Sequence, residues 1–196
     1  MKRDPTIITL DPTCLQDVFD DVMRVGAAAG CEDAAVELVD GMKSRIDEVR
    51  SKTGQAKLKR VACLEWLQPL IYAGHWVPEM IEAAGGVDCL GRAGRPSRRT
   101  DWDEVVAQDP DVLLVAPCGF DVDRGMDEMS LLTELPGWSS LSATQCGQVF
   151  VGNSNAYFTR SGPRLVDGVD ILARALHPDL FDGEPAAEAM VRYEGY

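Results

Sequence analysis

Residues 60–86 read RVACLEWLQPLIYAGHWVPEMIEAAGG, and this stretch decides the fold. Val61 to Leu64 is a short apolar run, the pattern of a buried strand. Through Glu65, Trp66, Gln68 and Pro69 no regular period survives. After Gly74, His75 and Trp76 a helix begins at Pro78, whose missing N–H suits a first helical turn. Gly85-Gly86 ends it, since glycine turns readily through positive φ. The unit is therefore strand, aromatic loop, helix, with Trp66, His75 and Trp76 just beyond the carboxyl end of the strand. In open α/β sheets, ligands bind at that end.

Working outward, the same alternation continues. Asp101 caps a helix, with Glu104 completing a D-x-x-E box, and Pro110 ends it. Asp111 to Ala116 (DVLLVA) is a continuous apolar run of the kind found in parallel sheets. Pro117 to Phe120 closes that strand, and an acidic helix follows to about Leu132. Pro136-Gly137-Trp138 starts a short helical stretch, and Gln148 to Gly152 reads as the last strand. Residues 153–162 form an irregular loop rich in aromatic and polar groups. A final helix begins near Ser161 and Pro163, with Leu165, Val169, Leu172 and Leu176 on one face. Pro178 ends it, and residues 183–196 read as a frayed tail. Strand–helix alternation predicts an α/β fold, a parallel sheet with helices on both faces.

Before Arg60 the pattern changes. Thr6 to Leu10 is a β-branched run read as a strand. Thr13 and Gln16 form a capping box before a helix with Leu15, Val18, Phe19 and Val22 on its apolar stripe. A long helix spans about Glu32 to Lys52, with Ala35, Leu38, Val39, Met42, Ile46 and Val49 spaced by three or four. About 30 Å long, it suits either a spine between two lobes or an ordinary core-covering helix. Residues 91–99, GRAGRPSRR, hold four arginines and read as a solvated loop, with an anion-facing rim as the alternative.

Composition excludes several function classes. The formal net charge is −13, which disfavours a nucleic-acid partner, because backbone neutralisation needs clustered basic residues. The six cysteines are scattered with no CxxC pair, and free thiols are expected. The N-terminus lacks the apolar core of a signal peptide, and no apolar run is long enough to span a membrane. As written, the chain reads as cytoplasmic and without membrane insertion. An exported parent would make it periplasmic or otherwise extracytoplasmic. Nucleotide-binding glycine motifs and a nucleophile elbow are absent. The two histidines make a histidine-built zinc site improbable. His177 reads as a favourable charge at a helix C-terminus. No catalytic pair stands out, so no enzyme is expected. What remains is five aromatics on three loops, Trp66, Trp76, Phe120, Tyr157 and Phe158, the makings of a pocket for a flat or bulky ligand.

Three segments carry a family resemblance: LEWLQPLIYAGHWVPEMIEAAGG, TDWDEVVAQDPDVLLVAPCGF and SNAYFTRSGPRLVDGVDILARALHP. Together they resemble the carboxyl-terminal lobe of helical-backbone (class III) periplasmic binding proteins, most closely the cobalamin-binding proteins of ABC importers. The resemblance runs from about Pro5 to Phe181. It implies four regions: a remnant of the amino-terminal lobe at 1–31, a spine helix at 32–54, an α/β ligand-binding lobe at 55–182 and a tail at 183–196. Most of the amino-terminal lobe has no counterpart here. It also implies non-catalytic binding of cobalamin or a related corrinoid, as ligand rather than cofactor, with an ABC permease as partner. Glu65, Trp66, Tyr157, Phe158 and Arg160 fall on the ligand side. His75 is either an axial cobalt ligand or a hydrogen-bonding side chain. Asp103, with Glu104 as the competing assignment, falls where the family docks on transporter arginines. An acidic ligand-side residue of the family falls on Ala156, so that contact is lost. Haem or a ferric siderophore on the same scaffold, or a ligand-free interaction module, are the alternatives. With one lobe missing, the helix of Leu15 and Phe19 is expected to expose apolar surface and to favour a homodimer.

Overall fold

The computed structural model describes residues 7–195. In chain order the elements are α1 (Leu15–Ala29), α2 (Glu32–Thr53), β1 (Lys59–Leu67), β2 (Leu70–Tyr72), α3 (Val77–Ala83), β3 (Gly86–Asp88), β4 (Arg98–Arg99), α4 (Trp102–Gln108) and β5 (Val112–Val115). There follow α5 (Val122–Asp127), α6 (Ser130–Thr133), α7 (Ser142–Gln145), β6 (Val149–Gly152), α8 (Ser154–Tyr157), α9 (Leu165–Leu176) and β7 (Met190–Arg192).

The centre of the sheet is parallel, as the alternation predicts. Val61–Leu64 of β1 runs beside Val112–Val115 of β5, and β5 runs beside β6. The amino-terminal end of β1 also pairs in parallel with β3. Successive residues point to opposite faces. Val61, Cys63, Val112, Leu114 and Phe150 pack on one face with residues from α1, α2, α3 and α9. Ala62, Leu64, Leu113, Val115, Val149 and Val151 pack on the other with Val105, Met129, Leu132, Trp138 and Leu141. Both faces are covered, which is why these strands read as unbroken apolar runs.

The periphery departs from the sequence reading. β2 turns back on β1 through Gln68-Pro69 and pairs antiparallel, and β4 pairs antiparallel with β2. A two-residue connection is too short for a parallel crossover. Residues after Asp182, expected to fray, instead supply β7, antiparallel to β6. It covers an edge that would otherwise expose unpaired backbone groups. The acidic helix expected up to Leu132 is two short helices, α5 and α6.

The amino-terminal strand is not found. Ile7–Leu10 carry no regular structure, and Thr6 lies outside the described residues. The helix cap also differs: Thr13 N–H and Oγ1 both donate to Asp17 Oδ2 at 2.8 Å, so Asp17, not Gln16, completes the turn. Leu15 and Phe19, expected to be exposed, are buried against α2. The two helices close tightly because Gly26 lies against Ala35, where an added Cβ would come within 2.3 Å of the alanine methyl. On α2, Ala35, Val39, Met42, Ile46 and Val49 are buried as expected, but Leu38 is 43% exposed. His177 is buried rather than a surface charge, and its Nε2 lies 3.0 Å from the Gly85 carbonyl.

Candidate functional site

The carboxyl ends of β1, β5 and β6 lead into three loops at one edge of the sheet. Glu65, Gly74, His75, Trp76, Val77, Cys118, Phe158 and Thr159 there enclose a cavity of about 270 Å³. Leu10, Asp11 and Pro12 cross its mouth. Larger cavities exist, including one of about 550 Å³ at the opposite end of the sheet, lined by Lys52, Lys57 and Lys59. That one lies away from the aromatic loops. The smaller cavity gathers aromatic and polar groups at the edge where α/β sheets bind ligands.

His75 is held in an uncommon backbone conformation, with φ of 53°. A non-glycine residue persists there only when its surroundings over-determine it. Two main-chain bonds do so: His75 N–H donates to the Arg95 carbonyl at 2.6 Å, and Gly94 N–H donates to the His75 carbonyl at 3.1 Å. The 91–99 loop is solvent-exposed at all four arginines, as expected, but its backbone is tied to the site. Its end becomes β4, and its middle clamps the site. Gly74 lets it approach: a Cβ there would lie 2.3 Å from the Arg95 carbonyl oxygen.

Ser97 links that loop to the pocket. Its Oγ donates to Glu65 Oε2 at 2.8 Å, accepts from Gly74 N–H at 3.1 Å, and lies 3.4 Å from His75 Nδ1. Beneath the loop, Asp88 Oδ1 accepts from Leu90 N–H at 2.9 Å and Gly91 N–H at 2.7 Å. Its Oδ2 is buried with no partner among the described residues. Burial pushes the Asp88 carboxyl up to about 6 against those two hydrogen bonds. Burial likewise raises the neighbouring Cys89 thiol to about 11 and holds Cys63 well above the thiol range.

The expected site residues divide into groups. Glu65, His75, Trp76 and Phe158 meet at the cavity. Phe158 itself is core, 1% exposed, and contributes mainly its carbonyl, which accepts from Trp76 Nε1 at 2.7 Å. Trp66 and Phe120 pair edge to face at 5.5 Å on the adjoining rim rather than in the cavity. Trp66 Nε1 donates to the Gln68 carbonyl, and Arg124 stacks on Phe120. Tyr157 is half-buried against the core. Arg160 is exposed and donates to Asn155 Oδ1 at 2.8 Å. On α4, Asp103 is exposed, while Glu104 accepts from Thr100 Oγ1 at 2.5 Å. Among the described residues, no three His, Cys, Asp or Glu side chains cluster to hold a metal ion. No helix among them is long and apolar enough to cross a membrane.

Sequence reasoning missed Ser97, Asp11, Cys118 and Thr159. Only Ser97 left a signal: a serine after Gly-Arg-Pro, in a loop whose glycines permit tight turns and whose proline fixes φ. Asp11 reaches the site through an irregular segment with no periodicity to read.

Residues 2–156 match the family described as Periplasmic binding protein. The curated relative YvrC of Bacillus subtilis (strain 168), an uncharacterized ABC transporter substrate-binding lipoprotein, is 26% identical over 180 residues, 90% of this chain. The chain spans only 55% of that relative's length. The periplasmic vitamin B12 binding protein BtuF of Vibrio cholerae superposes with a TM-score of 0.69 at 19% identity, over 90% of this chain and 67% of that one. The periplasmic heme-binding protein RhuT of Roseiflexus sp. RS-1 does so with a TM-score of 0.70 at 22% identity, over 87% and 66%. At such identities the likeness is one of fold.

Proposed function

The chain belongs to the periplasmic binding protein family, and from that premise we propose that it is a non-catalytic solute-binding component of an ABC-type importer whose ligand is cobalamin or a related corrinoid. The observation that carries this reading is the pocket of Glu65, His75 and Trp76 beside the Trp66–Phe120 pair. Flat aromatic faces lie next to polar groups, which suits a macrocycle fringed with amides. At about 270 Å³ the cavity is smaller than the roughly 300–1,000 Å³ of a whole ligand site. It takes one edge of such a ligand, as a single wall of a cleft would. Arg160 and the Trp66–Phe120 pair extend that wall.

Cobalamin acts here as cargo, not cofactor, and the work is done outside the cytoplasm. The partner is an ABC permease. Asp103, exposed in the first turn of α4, is the better docking residue, since Glu104 is tied to Thr100.

Haem is the second reading, favoured by a likeness to RhuT as extensive as that to BtuF. Calorimetric titration with cobalamin and, separately, with haem tests both. Saturable heat with cobalamin supports the first reading, and saturable heat with haem alone supports the second. No heat with either at millimolar ligand, with the fold intact, leaves a ligand-free interaction module.

A further inference from the structure

The side-chain hydrogens around the pocket can be assigned from chemistry alone. A carboxylate oxygen only accepts, so the Ser97 hydroxyl gives its one hydrogen to Glu65 Oε2. One Ser97 lone pair takes Gly74 N–H. The other is left for His75, so the ring carries a proton on Nδ1 and, in its neutral form, has a bare Nε2. Two further side-chain donors on the wall are engaged as well: Trp76 Nε1–H by the Phe158 carbonyl and Thr159 Oγ1–H by the Ser154 carbonyl. Among the described lining side chains, only the Cys118 thiol, a weak donor, is left. No lysine or arginine lines the cavity among the described residues, whereas the Asp11 carboxylate does.

We infer that the Glu65–Ser97–His75 chain leaves the side chains of this pocket with acceptors and no free strong donor, so that it takes ligand N–H groups such as primary amides and turns away carboxylates. The inference rests on the ligand-binding reading above and adds a rule of selection to it. A ligand carboxylate here would meet His75 Nε2, Glu65 and Asp11 with no free strong side-chain donor among the described residues. Discrimination of this kind comes from leaving buried polar groups unpaired in the wrong complex.

Two measurements on the full chain test it. The first is long-range proton–nitrogen correlation NMR of the 15N-labelled protein, whose two histidines keep the spectrum simple. The expected pattern is Nδ1–H for His75 and Nε2–H for His177, which faces a carbonyl. In Ser97→Ala, His75 changes to the Nε2–H form while His177 is unmoved, which shows the fold intact. The second is titration with dicyanocobinamide, whose periphery carries amides, against dicyanocobyrinic acid, whose periphery carries carboxylates. Cyanide on both faces of cobalt removes axial ligation from the comparison. The amide form is expected to bind at least about tenfold tighter. Glu65→Gln, which brings an amide N–H into the pocket, should cut that preference to about threefold or less. His75 protonated on Nε2 in the parent protein, or equal binding of the two corrinoids, overturns the inference. If neither corrinoid binds, the corrinoid reading falls by itself, and the NMR pattern still upholds or overturns the directed chain.

Discussion

Trp76 Nε1–H donates to the carbonyl of Phe158 at 2.7 Å, joining two loops separated by 82 residues of chain. The bond ties the helix-start loop after β2 to the loop after β6, and so fixes the width of the pocket between them. Trp76→Phe keeps an aromatic ring and removes the donor. It is expected to lower stability by about 1 kcal/mol, the net worth of one such bond. Urea denaturation checks this, and an unchanged midpoint would show that the two loops are held together by packing alone.

Trp66 and Trp138 make a contrasting pair. Trp66 sits on the rim with Phe120, whereas Trp138 is 5% exposed, stacked on Trp102 at 6.1 Å. Trp66→Ala is expected to weaken cobalamin binding by roughly 1–3 kcal/mol, as for loss of an aromatic anchor. Trp138→Phe is expected to lower stability and leave affinity unchanged. Calorimetry and thermal unfolding on both variants separate the effects, and a reversed pattern would remove Trp66 from the ligand wall.

Gly74→Ala probes the clamp. The added Cβ would lie 2.3 Å from the Arg95 carbonyl oxygen and 2.6 Å from Ser97 N, both main-chain atoms that cannot swing aside. The 91–99 loop must then move, and Ser97 leaves Glu65. A loss of about 1–3 kcal/mol in stability is expected, with ligand binding reduced more than in Trp76→Phe. Wild-type affinity in this variant would show that the loop does not shape the site.

The raised Asp88 carboxyl gives a pH dependence of defined sign. Its folded value is about 6 against an ordinary 3.8. Below the lower value, folded and unfolded chains are both protonated there. As pH rises through that window the unfolded chain ionises first, so stability falls, and the loss levels off above the higher value. The total is roughly 3 kcal/mol at 1.36 kcal/mol per pH unit. Asp17 and Asp109 have carboxyls lowered by hydrogen bonds, and they act in the opposite direction. The contribution of Asp88 is therefore read as the difference between the parent protein and Asp88→Asn. That difference should grow between pH 4 and pH 6.5 in urea melts, with the variant the more stable, and parallel pH profiles would count against it.

The core strands were legible because burial on two faces leaves no polar interruption: Val61–Leu64 and Val112–Val115 are buried throughout. α2 was legible from its spacing, apart from Leu38. β7 was not, because MVR is three residues long and owes its structure to the edge of β6 rather than to any pattern of its own. In the site, His75 and Trp76 could be placed by following a strand to its carboxyl end. Ser97 could not, since its role depends on a loop folding back over 23 residues to Gly74. His177 was misread because proximity to a helix end suggests solvent, while the Gly85 carbonyl that claims its ring is 92 residues away.

The contacts of Asn153 tie the pocket to the carboxyl-terminal segment. Its main-chain N–H donates to the Ala189 carbonyl at 2.8 Å, and its side-chain amide donates to the Glu188 carbonyl 35 residues downstream. Asn153 also caps α8, accepting from Ala156 N–H, and so starts the loop that carries Phe158 and Thr159. Chains are made from the amino terminus, and domains fold as units. Here the wall that includes Phe158 has its anchor in residues translated after it. The wall that includes Phe158 is therefore complete only once residues 188 and 189 are in place.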